Sequence, residues 1–170
     1  MSQTTLEPPT TRSPSAPLVD PMALVARGAT WLNAHSIPAL RVSLGLVFLV
    51  FGALKFVPGL SPAEDLSVAT IDRLTLGIVS GSAALVLTAV TETVIGLTLV
   101  TGRFVRVGLV VLAGALVGIM SPLVLFYDDM FDGGPTLVAQ YVFKDIVLAA
   151  AGLVVAARSL GGRLRPDGES

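Results

Sequence analysis

Cysteine is absent from the 170 residues. With it go disulfide exchange, thiolate nucleophiles, iron–sulfur clusters and cysteine zinc sites as functions of this chain by itself. Any redox role must therefore use a bound cofactor or a partner. Histidine occurs once, as His35, which excludes a bis-histidine haem within the subunit. Charge is scarce too: 14% of the residues are Asp, Glu, Lys or Arg, where a soluble domain carries about 25%. The net charge is −1 and no long basic run is present, so there is no phosphate-neutralising surface and no case for nucleic acid. What remains is apolar, at 53% hydrophobic residues and a mean hydropathy of +0.82. Such a chain belongs in a lipid bilayer.

Residues 1–20 are rich in Ser, Thr and Pro, carry no apolar periodicity and read as a disordered tail without a secretory signal. Residues 21–36 place Leu24, Trp31 and Leu32 roughly on one side, as a short amphipathic helix at the membrane surface would. Pro38 favours a break before the first span. Four spans follow, at about 38–57, 82–101, 107–127 and 136–157, within a membrane domain over 37–158, and residues 159–170 form a second tail. The expected fold is all-α: an integral membrane four-helix bundle. Between spans 1 and 2, Ser61, Pro62 and Glu64 offer an N-cap, a first-turn proline and a reciprocal capping partner, so a short helix is expected there as a lid across the bundle mouth. Basic residues gather at Arg12 and Arg27, in the Arg103/Arg106 turn and after the fourth span, whereas Asp128, Asp129 and Asp132 mark an acidic turn on the other side. The bias of Lys and Arg toward the cytoplasm then puts both termini inside.

Arg41, Gly45, Phe48, Gly52 and Lys55 recur at steps of four, three, four and three, and so share one face of the first span. Anchoring by snorkelling cations beside small packing residues explains such a stripe; so does a functional role for the charges. Gly114 and Gly118 stand in GxxxG spacing in the third span and read as a packing face, while Gly77 and Gly81 mark either a close contact or a bend. Glu92, Lys144 and Asp145 lie well inside spans, where each costs about 3 kcal/mol at the bilayer centre and usually finds a partner. Counted from the outer helix ends they lie at similar depth, from which Glu92 is expected to pair with Lys144. Lys55 balances the set to zero formal charge, and Gln140 and Tyr141 extend the polar stripe one turn outward along the fourth span. Two readings of this cluster stand side by side: internal ion pairs that fix helix register, and a polar pocket that binds a small molecule or relays protons.

Three groups of residues resemble the DoxX family of small four-helix bacterial membrane proteins. They are Arg41, Gly45, Gly52, Lys55 and Phe56 (R-x3-G-x6-G-x2-K-F); Glu92 and Gly96 followed by the Gly102–Arg103 turn; and Gln140, Tyr141, Lys144 and Asp145. The resemblance implies a bacterial plasma membrane location and, by analogy with relatives in thiosulfate:quinone oxidoreductases and thiol or oxidative-stress assemblies, a subunit of a quinone-linked system. A quinone is then the candidate cofactor, and oxidoreductase subunits or a second copy of the chain are candidate partners alongside the bilayer. The candidate ligand-binding residues are Lys55, Glu92, Gln140, Tyr141, Lys144 and Asp145. The candidate helix-packing residues are Arg41, Gly45, Gly52, Gly96, Gly114 and Gly118. A non-enzymatic scaffold or small-solute permeation protein, with the buried charges as structural ion pairs, is the alternative.

Overall fold

A computed structural model describes residues 20–162; the expected tails at 1–19 and 163–170 lie outside the described residues. Seven helices follow one another: α1 (Pro21–Leu54), α2 (Glu64–Leu74), α3 (Gly81–Thr101), α4 (Val105–Met120), α5 (Pro122–Leu125), α6 (Tyr127–Phe131) and α7 (Leu137–Ser159), with no strand among the described residues. Four stretches are long and apolar enough to cross a bilayer: α1, α3, Val105–Leu125 and α7. The chain divides into two units, residues 1–34 and 35–170.

In the first unit the described residues are Asp20 and the opening of α1, where Asp20 Oδ1 accepts a hydrogen bond from the Met22 backbone N–H at 3.0 Å. A carboxylate there satisfies an orphan amide and faces the positive end of the helix dipole. The expected break before the first span is not there, since α1 runs from Pro21 through Pro38 without interruption. Proline removes one amide donor, but the neighbouring helical bonds persist and hold the backbone on either side.

In the second unit the spans form a bundle. Leu44 and Phe48 of α1, Ile95 and Leu99 of α3, Leu112 of α4 and Val155 of α7 make one buried cluster. Met130 of α6 packs with Ala139 and Val142 of α7 in a second. Apolar side chains gain little by leaving lipid for one another, so close backbone approach decides how such helices dock. The stripe predicted on α1 is that docking surface. A Cβ at Gly45 would lie 2.9 Å from the Leu99 Cβ, one at Gly52 would lie 2.9 Å from the Thr93 backbone nitrogen, and one at Gly96 would lie 2.6 Å from the Leu49 backbone nitrogen. Moving up α1 moves down α3, an antiparallel register in which glycine on one helix meets backbone on the other.

Gly114 and Gly118, expected as a packing face, make no such contact within this chain, since nothing lies within 4 Å of a Cβ placed at either. GxxxG spacing sets two glycines on one face but does not say which face turns inward. The packing glycines of the later helices are Gly108, pressed against Thr98, and Gly152, against Leu112. The third span also differs from a single helix over 107–127. It breaks at Ser121, whose hydroxyl donates to the Gly118 carbonyl at 2.7 Å, and restarts with Pro122 at the first turn of α5. Asp128 and Asp129 consequently sit in α6 rather than in an open turn.

Helix α2 fills the expected connection, but its N-terminus is built differently. Ala63 is the N-cap, without a side-chain bond, and Glu64 instead accepts from the Gly59 backbone N–H at 2.7 Å. Gly77 (φ +82°) and Gly81 (φ +53°) mark the bend into α3, with open space around both.

Candidate functional site

Lys55 begins the turn that ends α1, and its ammonium reaches both carboxylate oxygens of Glu92 on α3, at 2.8 and 3.0 Å. Both residues are buried, Lys55 at 3% exposure and Glu92 at 7%. The pairing of Glu92 with Lys144 expected from helix depth is thus corrected. Helical side chains lean toward the N-terminus of their own helix. On α1 that direction carries Lys55 back into the bundle, while on the antiparallel α3 it carries Glu92 up to meet it. Lys144 on α7 leans the same way as Glu92, toward its own preceding turn.

Lys144 accordingly lies over aromatic rings. Its Nζ is 3.5 Å from the ring centroid of Tyr141, three residues earlier on α7, and 5.0 Å from that of Phe51 on α1. The same Phe51 ring lies 5.8 Å from Lys55 Nζ, so one aromatic is within reach of both cations. Ring faces carry negative electrostatic potential and stabilise an ammonium, more strongly where water is excluded. Lys144 is exposed, and among the described residues the ion pair within 4 Å is Lys55–Glu92. Asp145 is half-buried and within electrostatic reach of Lys55, Lys144 and Glu92. The structure therefore brings together Lys55, Glu92, Lys144, Asp145 and Tyr141. It leaves out Gln140, whose side-chain amide donates to the Pro135 carbonyl at 3.4 Å, outside the N-terminus of α7.

Phe51 is the member that sequence reasoning missed. It precedes Gly52 on α1, one position off the Arg41–Lys55 stripe, and the signal available was its spacing of four from Lys55. Arg41, at the opposite end of the stripe, serves structure: its guanidinium donates to the Leu99 carbonyl. A Cβ at Gly102 (φ +72°), the C-cap of α3, would lie 3.0 Å from Arg41 Nη1. A cation on the last carbonyls of a helix is favoured by the dipole.

Four membrane-length helices and a charge cluster set among their spans define an all-α integral membrane bundle. The DoxX family pattern matches residues 36–127, which spans α1 from Ser36 through Tyr127, the first residue of α6. The chain belongs to the DoxX family. Neither the curated proteins nor the solved structures contain a match to it. The matched segment carries Lys55, Glu92 and Phe51; Tyr141, Lys144 and Asp145 lie beyond it on α7.

Proposed function

We propose that this DoxX-family protein is a plasma-membrane subunit of a quinone-linked oxidoreductase or oxidative-stress system, and that the surface between α1 and α7 binds the quinone head group. One observation carries the reading: Lys144 lies inside a span, exposed, held over the rings of Tyr141 and Phe51, with no carboxylate in ion-pair range among the described residues. An ammonium in the hydrocarbon region costs about 3 kcal/mol unless something polar meets it. A ligand arriving through the bilayer with a carbonyl-bearing head supplies that acceptor. A flat ring also suits a site walled by Phe51 and Tyr141.

In this reading Lys144 donates to a quinone carbonyl and the Tyr141 hydroxyl is a second donor. Asp145 and Glu92 exchange the protons that accompany the electrons. The quinone supplies the redox chemistry, and electrons come from a partner subunit because this chain has no cysteine. The basic turns favour cytoplasmic termini, which puts α2 on the outer side. Saturation binding of a short-chain ubiquinone analogue to the purified protein in mild detergent tests the site. Lys144→Met is expected to weaken binding at least tenfold while the protein stays folded; unchanged binding in both Lys144→Met and Tyr141→Phe would refute it.

The alternative reading, a membrane scaffold or small-solute permeation protein, is favoured by a different feature. The Lys55–Glu92 pair is buried with both carboxylate oxygens satisfied, which is what a register-fixing contact requires.

A further inference from the structure

Above the Lys55–Glu92 pair a cleft of about 520 Å³ opens between the end of α1, helix α2 and the start of α3. One wall is a single face of α2, on which Asp65, Val68, Ala69 and Asp72 follow at steps of three, one and three, with Glu64 beside them. Leu85 and Val86 of α3 line the opposite wall, and Lys55 lines the depth of the cleft. Three carboxylates against one ammonium that is already paired leave the cleft net acidic.

We propose that this cleft is a cation-selective water route to the buried pair, open to the side of the membrane that bears α2 and closed to the other. Three observations meet in it. The space is lined by the α2 carboxylates, Ser80 and Ser82 as well as by apolar side chains, and it is far larger than a single water needs. Lys55, although 97% buried by its 3% exposure, lines that space and spends two of its three N–H groups on Glu92; the third has no protein acceptor among the described residues. On the far side of Glu92 the bundle is closed by apolar side chains: Ile95 and Leu99, both at 0% exposure, pack with Leu44, Phe48, Leu112 and Val155. Water therefore reaches the pair from one direction, and the α2 carboxylates concentrate hydronium and other small cations on that approach.

This deepens the proposed function and rests on the proton exchange assigned there to Glu92. A hydronium ion delivers its proton to a Glu92 carboxylate oxygen and remains as water, Lys55 staying an ammonium. The charged groups that act on Glu92 are Lys55 from α1 and Asp145 from α7, with Lys144 acting on Asp145; α2 brings Glu64, Asp65 and Asp72 to the cleft.

The absence of native cysteine makes labelling of single introduced cysteines clean. Leu85→Cys probes the cleft with the pair intact, Lys55→Cys/Glu92→Gln probes its floor, Ile95→Cys probes the apolar layer, and Leu76→Cys, at a position 91% exposed, marks the α2 side. The probes are two membrane-impermeant methanethiosulfonates, one carrying trimethylammonium and one sulfonate, applied to right-side-out and inverted vesicles. The route requires Leu85→Cys and Lys55→Cys/Glu92→Gln to label from the same side as Leu76→Cys, about tenfold faster with the cationic reagent, and Ile95→Cys to stay unlabelled. The preference should vanish when Asp65→Asn and Asp72→Asn are added. Labelling from the opposite side, equal rates for the two reagents, or no labelling of Leu85→Cys overturns the proposal. If Lys55→Cys/Glu92→Gln fails to fold, Leu85→Cys decides. No quinone is present in this assay, so its failure and that of the binding site at Lys144 are separately visible.

Discussion

Lys55 and Glu92, 37 positions apart in the chain, meet in the interior with the ammonium 2.8 and 3.0 Å from the two carboxylate oxygens. Removing one partner leaves a buried charge uncompensated, which typically costs about 3–5 kcal/mol. Lys55→Met and Glu92→Gln should each lower the midpoint of thermal unfolding in detergent. The double variant should recover most of the loss, because the two changes act on one contact. Lys144→Met, placed in Glu92→Gln instead, should give no such recovery.

The close packing of α1 on α3 predicts a sharp contrast among glycines. Gly96→Val drives a side chain into the backbone at Leu49 and should destabilise the bundle by about 1–3 kcal/mol or abolish its assembly. Gly114→Val, with nothing within 4 Å, should leave the unfolding midpoint of the isolated chain unchanged. Equal effects of the two substitutions would refute the assignment of the docking face.

At the other end of the same stripe, Gly102→Ala must place an L side chain at φ +72° and against Arg41. The left-handed conformation alone costs about 1–2 kcal/mol. Arg41→Gln keeps a donor but loses the charge at the C-terminus of α3, and a smaller loss is expected, about 0.3–1 kcal/mol. Both are read as shifts in thermal unfolding.

Phe51 holds its ring within about 6 Å of two cations, so Phe51→Leu should retain apolar volume while removing the negative ring face. An interaction of about 0.5–2 kcal/mol is at stake. If the surface between α1 and α7 is the quinone site, Phe51→Leu should weaken binding of the ubiquinone analogue severalfold with little change in stability.

How far these features are legible in the sequence depends on which physical rule carries them. The spans follow from hydropathy, and the steps of four and three from Arg41 to Lys55 specify one face of α1, which is the face that docks on α3. The partner of Glu92 is not legible from residue counts: depth along the helix axis puts it level with Lys144, whereas the lean of side chains toward each helix's N-terminus turns it to Lys55. The Gly114–Gly118 spacing likewise gives a face without a direction, which only the arrangement of all four helices supplies. At Pro38 the local rule for residues before proline favours a break, and the continuous α1 shows the flanking helical bonds overriding it.

The most direct measurement of the central claim is to purify the chain from its native membranes in mild detergent, extract it with organic solvent and identify bound small molecules by mass spectrometry, alongside Lys144→Met. A quinone present at about one per chain and missing from Lys144→Met is the predicted result. A wild-type protein without quinone, or a quinone retained equally by Lys144→Met, would contradict the account.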